Sequence, residues 1–140
     1  MASKAMMTGM RGVFLVAAEL TKLDWIVAPT SRNAMGADLL ITDKACTRTW
    51  SVQVKANSKP KTHWLVGKNT DMHVSDSHMY VFVDLKPNDE RPEFYVIPSR
   101  TVARQTRAVK RPNSVWYRFD KDQKYRDAWI AFGQPETERK

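Results

Sequence analysis

Cysteine is almost absent from this chain of 140 residues: Cys46 stands alone, so no internal disulfide can form. That suits a reducing compartment, and the expected location is cytoplasmic. No apolar run approaches the roughly 20 residues needed to cross a bilayer. The stretch from Gly12 to Ala18 is short, is closed by Glu19, and lacks the small-residue cleavage signature of a secretory leader, so no membrane partner is expected. No glycine-rich phosphate loop is present, which argues against nucleotide hydrolysis of the P-loop type. His63, His73 and His78 do not stand at zinc-ligand spacings, and Cys46 lies far from them. Internal repeats, low-complexity tracts and linkers are missing too, so residues 1–133 read as one domain followed by a polar, fraying tail, 134–140. Acid is also scarce. Fifteen Asp and Glu against 23 Lys and Arg leave a formal charge of +8, which favours polyanions because neutralised phosphates release counterions. The same excess serves solubility, so charge narrows the partner without fixing it.

What is present is enough to build a core, since 42% of the residues are hydrophobic and the aromatics are spread along the chain. Met6, Met10, Val13, Ala17 and Leu20 recur at three- and four-residue steps and predict a helix over Lys4–Lys22. A short apolar segment, Trp25 to Ala28, ends at Pro29 and the polar run Thr30-Ser31-Arg32-Asn33. Gly36 opens a strand over Ala37 to Ile41, and the polar run Thr42 to Arg48 reads as a hairpin loop. Thr49 to Lys55 follows as the clearest strand. Trp50, Val52 and Val54 point one way, while Ser51, Gln53 and Lys55 point the other. Ala56 to His63 is polar and basic, with Pro60 excluding a central strand, and Trp64 is expected in the core or on a partner surface. Tyr80 to Leu85 and Phe94 to Ile97 read as two further strands, joined by a turn over Lys86 to Pro92. A helix start is expected at Pro98-Ser99 with Ser99 as its cap. A last helix is expected from about Lys121 to Phe132, with Tyr125, Ala128, Trp129 and Phe132 on its buried stripe. The order predicts a mixed α/β domain around one sheet.

The polar face of the best strand carries the chemistry. Gln53 and Lys55 share a face with only Val54 between them, and the hairpin brings Asp38 alongside. The Asp38 carboxylate and the Gln53 oxygen are suited to a hard cation such as Mg²⁺, which takes oxygen ligands and keeps several waters. Lys55 then stands where its ammonium can stabilise charge building on a phosphate. The same residues also fit a plainer description, the wet face of an antiparallel strand.

Gly36-Ala37-Asp38-Leu39-Leu40, a spacer, then Val52-Gln53-Val54-Lys55 resembles the PD-(D/E)XK nuclease superfamily, in the Gln-x-Lys form of small Mrr-like enzymes and similar to junction resolvases. Gln53 fills the position that is usually Glu or Asp, and Ala37 replaces the Pro of the superfamily name. The resemblance covers roughly Met10 to Ile97 and implies a restriction-endonuclease-like fold, a mixed sheet of four or five strands flanked by helices. It implies Mg²⁺ or Mn²⁺ held by Asp38, Gln53, the carbonyl of Val54 and Glu19 on the first helix. It implies hydrolysis of DNA, duplex or branched, assisted by Lys55, and a homodimer, because cutting both strands takes two sites. If Gln53 cannot hold metal, the alternative is a catalytically silent nucleic-acid-binding module or a subunit of a restriction or repair assembly.

The basic residues divide into two clusters. Asn57, Ser58, Lys59 and Lys61 follow the candidate catalytic strand and are placed to position phosphates. Arg100, Arg104 and Arg107 are expected on one face of a short helix. Lys110 and Arg111 extend that second cluster.

Overall fold

The computed structural model describes residues 1–31 and 36–137, leaving the side chain of Met72 aside. Arg32 and Asn33, part of the predicted chain break, lie outside the described residues. Helix α1 spans Lys4–Lys22, as its periodicity predicts, and the Ser3 hydroxyl caps it by accepting from the Met6 N–H at 3.2 Å. Strands β1 (Ile26–Pro29), β2 (Leu39–Thr42) and β3 (Thr49–Asn57) form an antiparallel meander. Strand β4 (His63–Val66) leaves this sheet, and the chain returns as β5 (His78–Asp84), parallel to β3. Strand β6 (Glu93–Pro98) closes the row antiparallel to β5, so the main sheet has five strands in the order β1-β2-β3-β5-β6.

Helix α2 (Ser99–Gln105) and the hairpin β7 (Arg107–Arg111) and β8 (Ser114–Asp120) follow. The hairpin pairs with β4 through β8 and makes a second sheet, β4-β8-β7, which the sequence reading did not anticipate. The expected last helix is absent. Two short 3₁₀ turns, Gln123–Tyr125 and Trp129–Phe132, occupy that segment, separated by Asp127 with φ of 52°. Tyr125, Ala128, Trp129 and Phe132 have helical spacing, yet tertiary packing holds them in turns. Of the polar tail only residues 134–137 are described, and there the Glu136 N–H donates to Asp43 Oδ2 at 3.0 Å, so that part is tied down where fraying was expected.

The main sheet separates two cores. Val16 and Leu20 of α1 pack with Val52, Val54, Val81 and Phe132 on one face. Tyr80, Phe82, Tyr95 and Trp64 pack with Val102 and Phe119 on the other, where the second sheet lies. Trp64 belongs to that second core: it stacks on Phe82 at 5.2 Å, and its indole N–H donates to the Val83 carbonyl. The helix buries only the C-terminal part of the expected stripe, Leu20 fully and Val13 and Ala17 in part. Gly12, Val16 and Leu20 face the sheet, while Met7 and Phe14 are 55% and 58% exposed and Met6 and Met10 are also exposed. The cause is the approach of α1 to β3. A Cβ at Gly12 would lie 2.7 Å from the Ala56 Cβ, so the helix is seated on the one residue that lets it come so close. Ser99 is not a cap either. Pro98 holds that position, and the buried Ser99 hydroxyl donates to the Ser75 carbonyl and accepts from its N–H.

Candidate functional site at the start of β2 and along β3

Asp38 precedes β2 and is locked to β3 at both ends. Its N–H donates to the Val52 carbonyl at 2.8 Å, and its Oδ2 accepts from the Val54 N–H at 2.8 Å. Upstream, the Thr30 hydroxyl donates to the Ala37 carbonyl at 2.7 Å and the Thr30 N–H donates to the Asp38 carbonyl. Gly36 makes the turn with φ of 81°, against the His73 ring; a Cβ there would meet His73 Nδ1 at 2.9 Å. The carboxylate is therefore held at the edge of β3. A strand residue turns its N–H and C=O toward the same side, so the Val54 carbonyl also faces the Asp38 side.

Gln53 and Lys55 are half-buried and project from the face opposite α1, in register with Tyr80 and Phe82. Lys55 walls a cleft of about 230 Å³ with Asn57, Lys61, His63 and Leu65, which leads from β3 to β4. Burial, together with Arg118 and Lys61, pushes the His63 imidazole below its ordinary pKa, so it is neutral at pH 7. A second cleft of about 320 Å³ runs from Asn57, Ser58, Lys59 and Lys61 to Lys4 and Thr8 of α1. The amide of Asn57 is already committed, donating to the His63 carbonyl at 2.8 Å, whereas Ser58, Lys59 and Lys61 are exposed.

Glu19 is engaged by a basic partner. It sits on α1, the helix covering the opposite face, and its Oε1 is 3.7 Å from the Arg91 guanidinium. Arg100, Arg104 and Arg107 do not share one helix face. Arg100 and Arg104 are on α2, with Arg100 bonded to Asp76 at 2.9 Å, while Arg107 belongs to β7 and bonds Asp120 at 2.8 Å.

No group of three His, Cys, Asp or Glu side chains is placed to hold a metal among the described residues. The oxygens that Asp38, Gln53 and Val54 could offer a cation are one carboxylate, one amide oxygen and one backbone carbonyl. An all-oxygen set carrying a single charge matches a hard cation that keeps much of its water, and not zinc or a soft metal.

Sequence reasoning missed three features around the site. Asp43, fully buried in the β2–β3 loop, accepts from the Thr47 N–H and hydroxyl, the Arg48 N–H and the Glu136 N–H. Those bonds outweigh the burial that opposes ionisation and lower its pKa to about 2. His78, on β5 opposite Ser51, holds the Ser51 hydroxyl at 2.6 Å from its Nδ1, and burial followed by the nearby His73 lowers its pKa. The β7–β8 hairpin was the third. Its signal was legible: Val115, Trp116, Tyr117 and Phe119 follow the turn residues Pro112-Asn113.

A five-stranded mixed sheet with α1 on one face, and a carboxylate held at the edge of its central strand β3, is consistent with a restriction-endonuclease-like fold. The chain is similar to the bacterial homing endonuclease I-Ssp6803I, with a TM-score of 0.57 and 18% identity over 92% of this chain and 90% of that one. It also aligns with a Holliday junction resolvase, Hjc, of the archaeal hyperthermophile Archaeoglobus fulgidus. That alignment has a TM-score of 0.49 and 11% identity over 81% of this chain and 88% of the resolvase. No family model matches the sequence, and no curated protein matches it either.

Proposed function

We propose that this protein is an endonuclease that hydrolyses DNA phosphodiester bonds with the help of Mg²⁺ or Mn²⁺. The observation that carries the reading is the bond from the Val54 N–H to Asp38, which fixes a carboxylate beside the Gln53-Val54-Lys55 segment in a fold shared with a homing endonuclease. Asp38, Gln53 and the Val54 carbonyl would hold the cation, which supplies Lewis-acid charge and acidifies a water. Asp38 provides the only negative charge among these three and is pre-positioned by its two bonds to β3. Gln53 would add a neutral oxygen from the face opposite α1. Lys55 places an ammonium beside the reacting phosphate and stabilises the charge that builds there. Glu19 joins the donor set only by exchanging Arg91 for the cation. A 3.7 Å pair with an exposed arginine is weak enough for that exchange to cost little. Lys59 and Lys61 bind the flanking backbone. Cutting both strands takes two such centres, so the working form is a homodimer.

A second reading has its own support. One carboxylate with two neutral oxygens is a poor cation site, which favours a DNA-binding module without chemistry. A cleavage assay on plasmid, single-stranded and four-way-junction DNA with Mg²⁺, Mn²⁺ or EDTA separates the two. Metal-dependent cutting supports the nuclease and identifies its substrate. Salt-sensitive binding with no cutting under either metal would leave the silent module.

A further inference from the structure

We infer that the β7–β8 hairpin is a DNA-contacting ribbon that enters the major groove beside the cleavage site. This rests on the proposal that the substrate is DNA, and deepens it. The hairpin is built unlike the rest of the protein. From Arg107 to Asp120 there are four basic residues against one acid, Asp120 at the base, so the hairpin carries a net charge of +3 that attracts polyanions. Every residue of β7 except Val109 is exposed, and Trp116 on β8 is 45% exposed, so β7 and the tip stand clear of the core while Phe119 anchors the base.

Register places the side chains. Arg107 pairs with Arg118, Val109 with Trp116, and Arg111 with Ser114, so these six share the face turned away from Tyr117 and Phe119. Arg107 and Arg118 are both bonded to Asp120, at 2.8 Å and 2.9 Å, which fixes the base of the ribbon and leaves its tip as the free charge. At the tip the exposed Arg111 guanidinium lies 4.8 Å from the Trp116 ring, a cation–π contact that steadies it at the surface. A two-stranded ribbon fits a B-form major groove, about 12 Å wide, and a presented guanidinium is the commonest donor to guanine edges there. The second sheet also lies where such a duplex must pass. Leu65 and His63 of β4, paired with Arg118 and Asp120, line the same cleft as Lys55. Duplex seated at Lys55 is thereby led across β4 onto the hairpin.

The test is fluorescence anisotropy with labelled duplex DNA over a salt series, for the full chain and its Arg111→Ala, Arg111→Lys and Trp116→Ala variants, alongside metal-dependent cleavage. Both positions are exposed, and circular dichroism checks that the variants fold. Arg111→Ala is expected to bind about tenfold more weakly, with a salt slope smaller by about 0.9. Arg111→Lys is expected to keep the slope but lose preference among duplex sequences. Variants binding with the parent's affinity and slope would overturn the ribbon alone. Equal weakening for A-form duplex RNA would also overturn it, because that major groove is too narrow to admit a ribbon. A parent chain showing no salt-dependent binding would sink both the ribbon and the nuclease. A parent that binds without cutting, and is weakened by these variants, would leave the ribbon standing and remove the nuclease.

Discussion

Asp38 has two roles in this structure, and a pair of substitutions separates them. Its Oδ2 accepts the Val54 N–H at 2.8 Å in a half-buried setting, and its charge is the one negative contribution to the proposed cation site. A hydrogen bond to an ionised group contributes roughly 1.5–3 kcal/mol, and a neutral one roughly 0.5–1.5 kcal/mol. Asp38→Asn keeps an oxygen for Val54 and costs about 1 kcal/mol. Asp38→Ala leaves that N–H without its partner and costs about 2–3 kcal/mol. At about 3 °C per kcal/mol for a domain of this size, melting should fall by about 3 °C for Asn and about 6–9 °C for Ala. Cleavage should fall at least about 100-fold in both, because both remove the charge. The assay is plasmid nicking with Mg²⁺ at a temperature where both variants are folded, paired with thermal melts. An Asn variant that cuts like the parent would refute the role of the charge. An Ala variant that melts like the parent would refute the structural role of the Val54 bond.

Three further outcomes follow from the packing and charges. Gly12→Ala gains about 1 kcal/mol of helix propensity but puts a methyl 2.7 Å from the Ala56 Cβ, an overpacking cost of about 1–3 kcal/mol, so denaturant titration should show a net loss of up to about 2 kcal/mol. Lys121→Met removes the 2.9 Å partner of Asp84, a carboxylate only 1% exposed, and leaves Lys86 at 3.6 Å. The expected loss is about 3 kcal/mol, near 10 °C of melting temperature. Asp43 has a folded pKa of about 2 against an ordinary 3.8, so the folded state binds fewer protons than the unfolded one over that window. Its contribution is complete above about pH 4 and is lost as pH falls toward 2. Asp43→Asn should flatten that part of a stability-against-pH curve.

The parts legible in the sequence were those where local pattern and tertiary demand agree. Strict alternation from Thr49 to Lys55 assigned both faces of β3, and the run from Lys4 to Lys22 gave α1 its bounds. The face of α1 was right at Val13, Ala17 and Leu20 and misread at its start, because Met6 and Met10 are apolar at helical spacing. What decides the face is a close approach that only Gly12 permits, and a pattern of hydrophobicity weighs glycine as neutral. The segment from Lys121 to Phe132 failed in the opposite way, its helical spacing being realised by turns about a left-handed Asp127. In the candidate site, the approach of Asp38 to β3 was readable because a hairpin joins β2 to β3. Glu19 was placed by resemblance, and its ion pair with Arg91 depends on a loop some 70 residues away that no local pattern encodes. Arg107 was grouped with α2 by spacing, but the chain turns into a strand after Gln105.

The most direct measurement of the central claim is single-turnover cleavage of a bound duplex by the parent chain and by Lys55→Met, with Mg²⁺ present and DNA binding measured in parallel. Methionine keeps most of the stem and removes the ammonium. The account predicts cleavage at least about 100-fold slower in the variant with affinity changed only a few-fold. Cleavage at the parent's rate in Lys55→Met, or cutting that continues in EDTA, would contradict it.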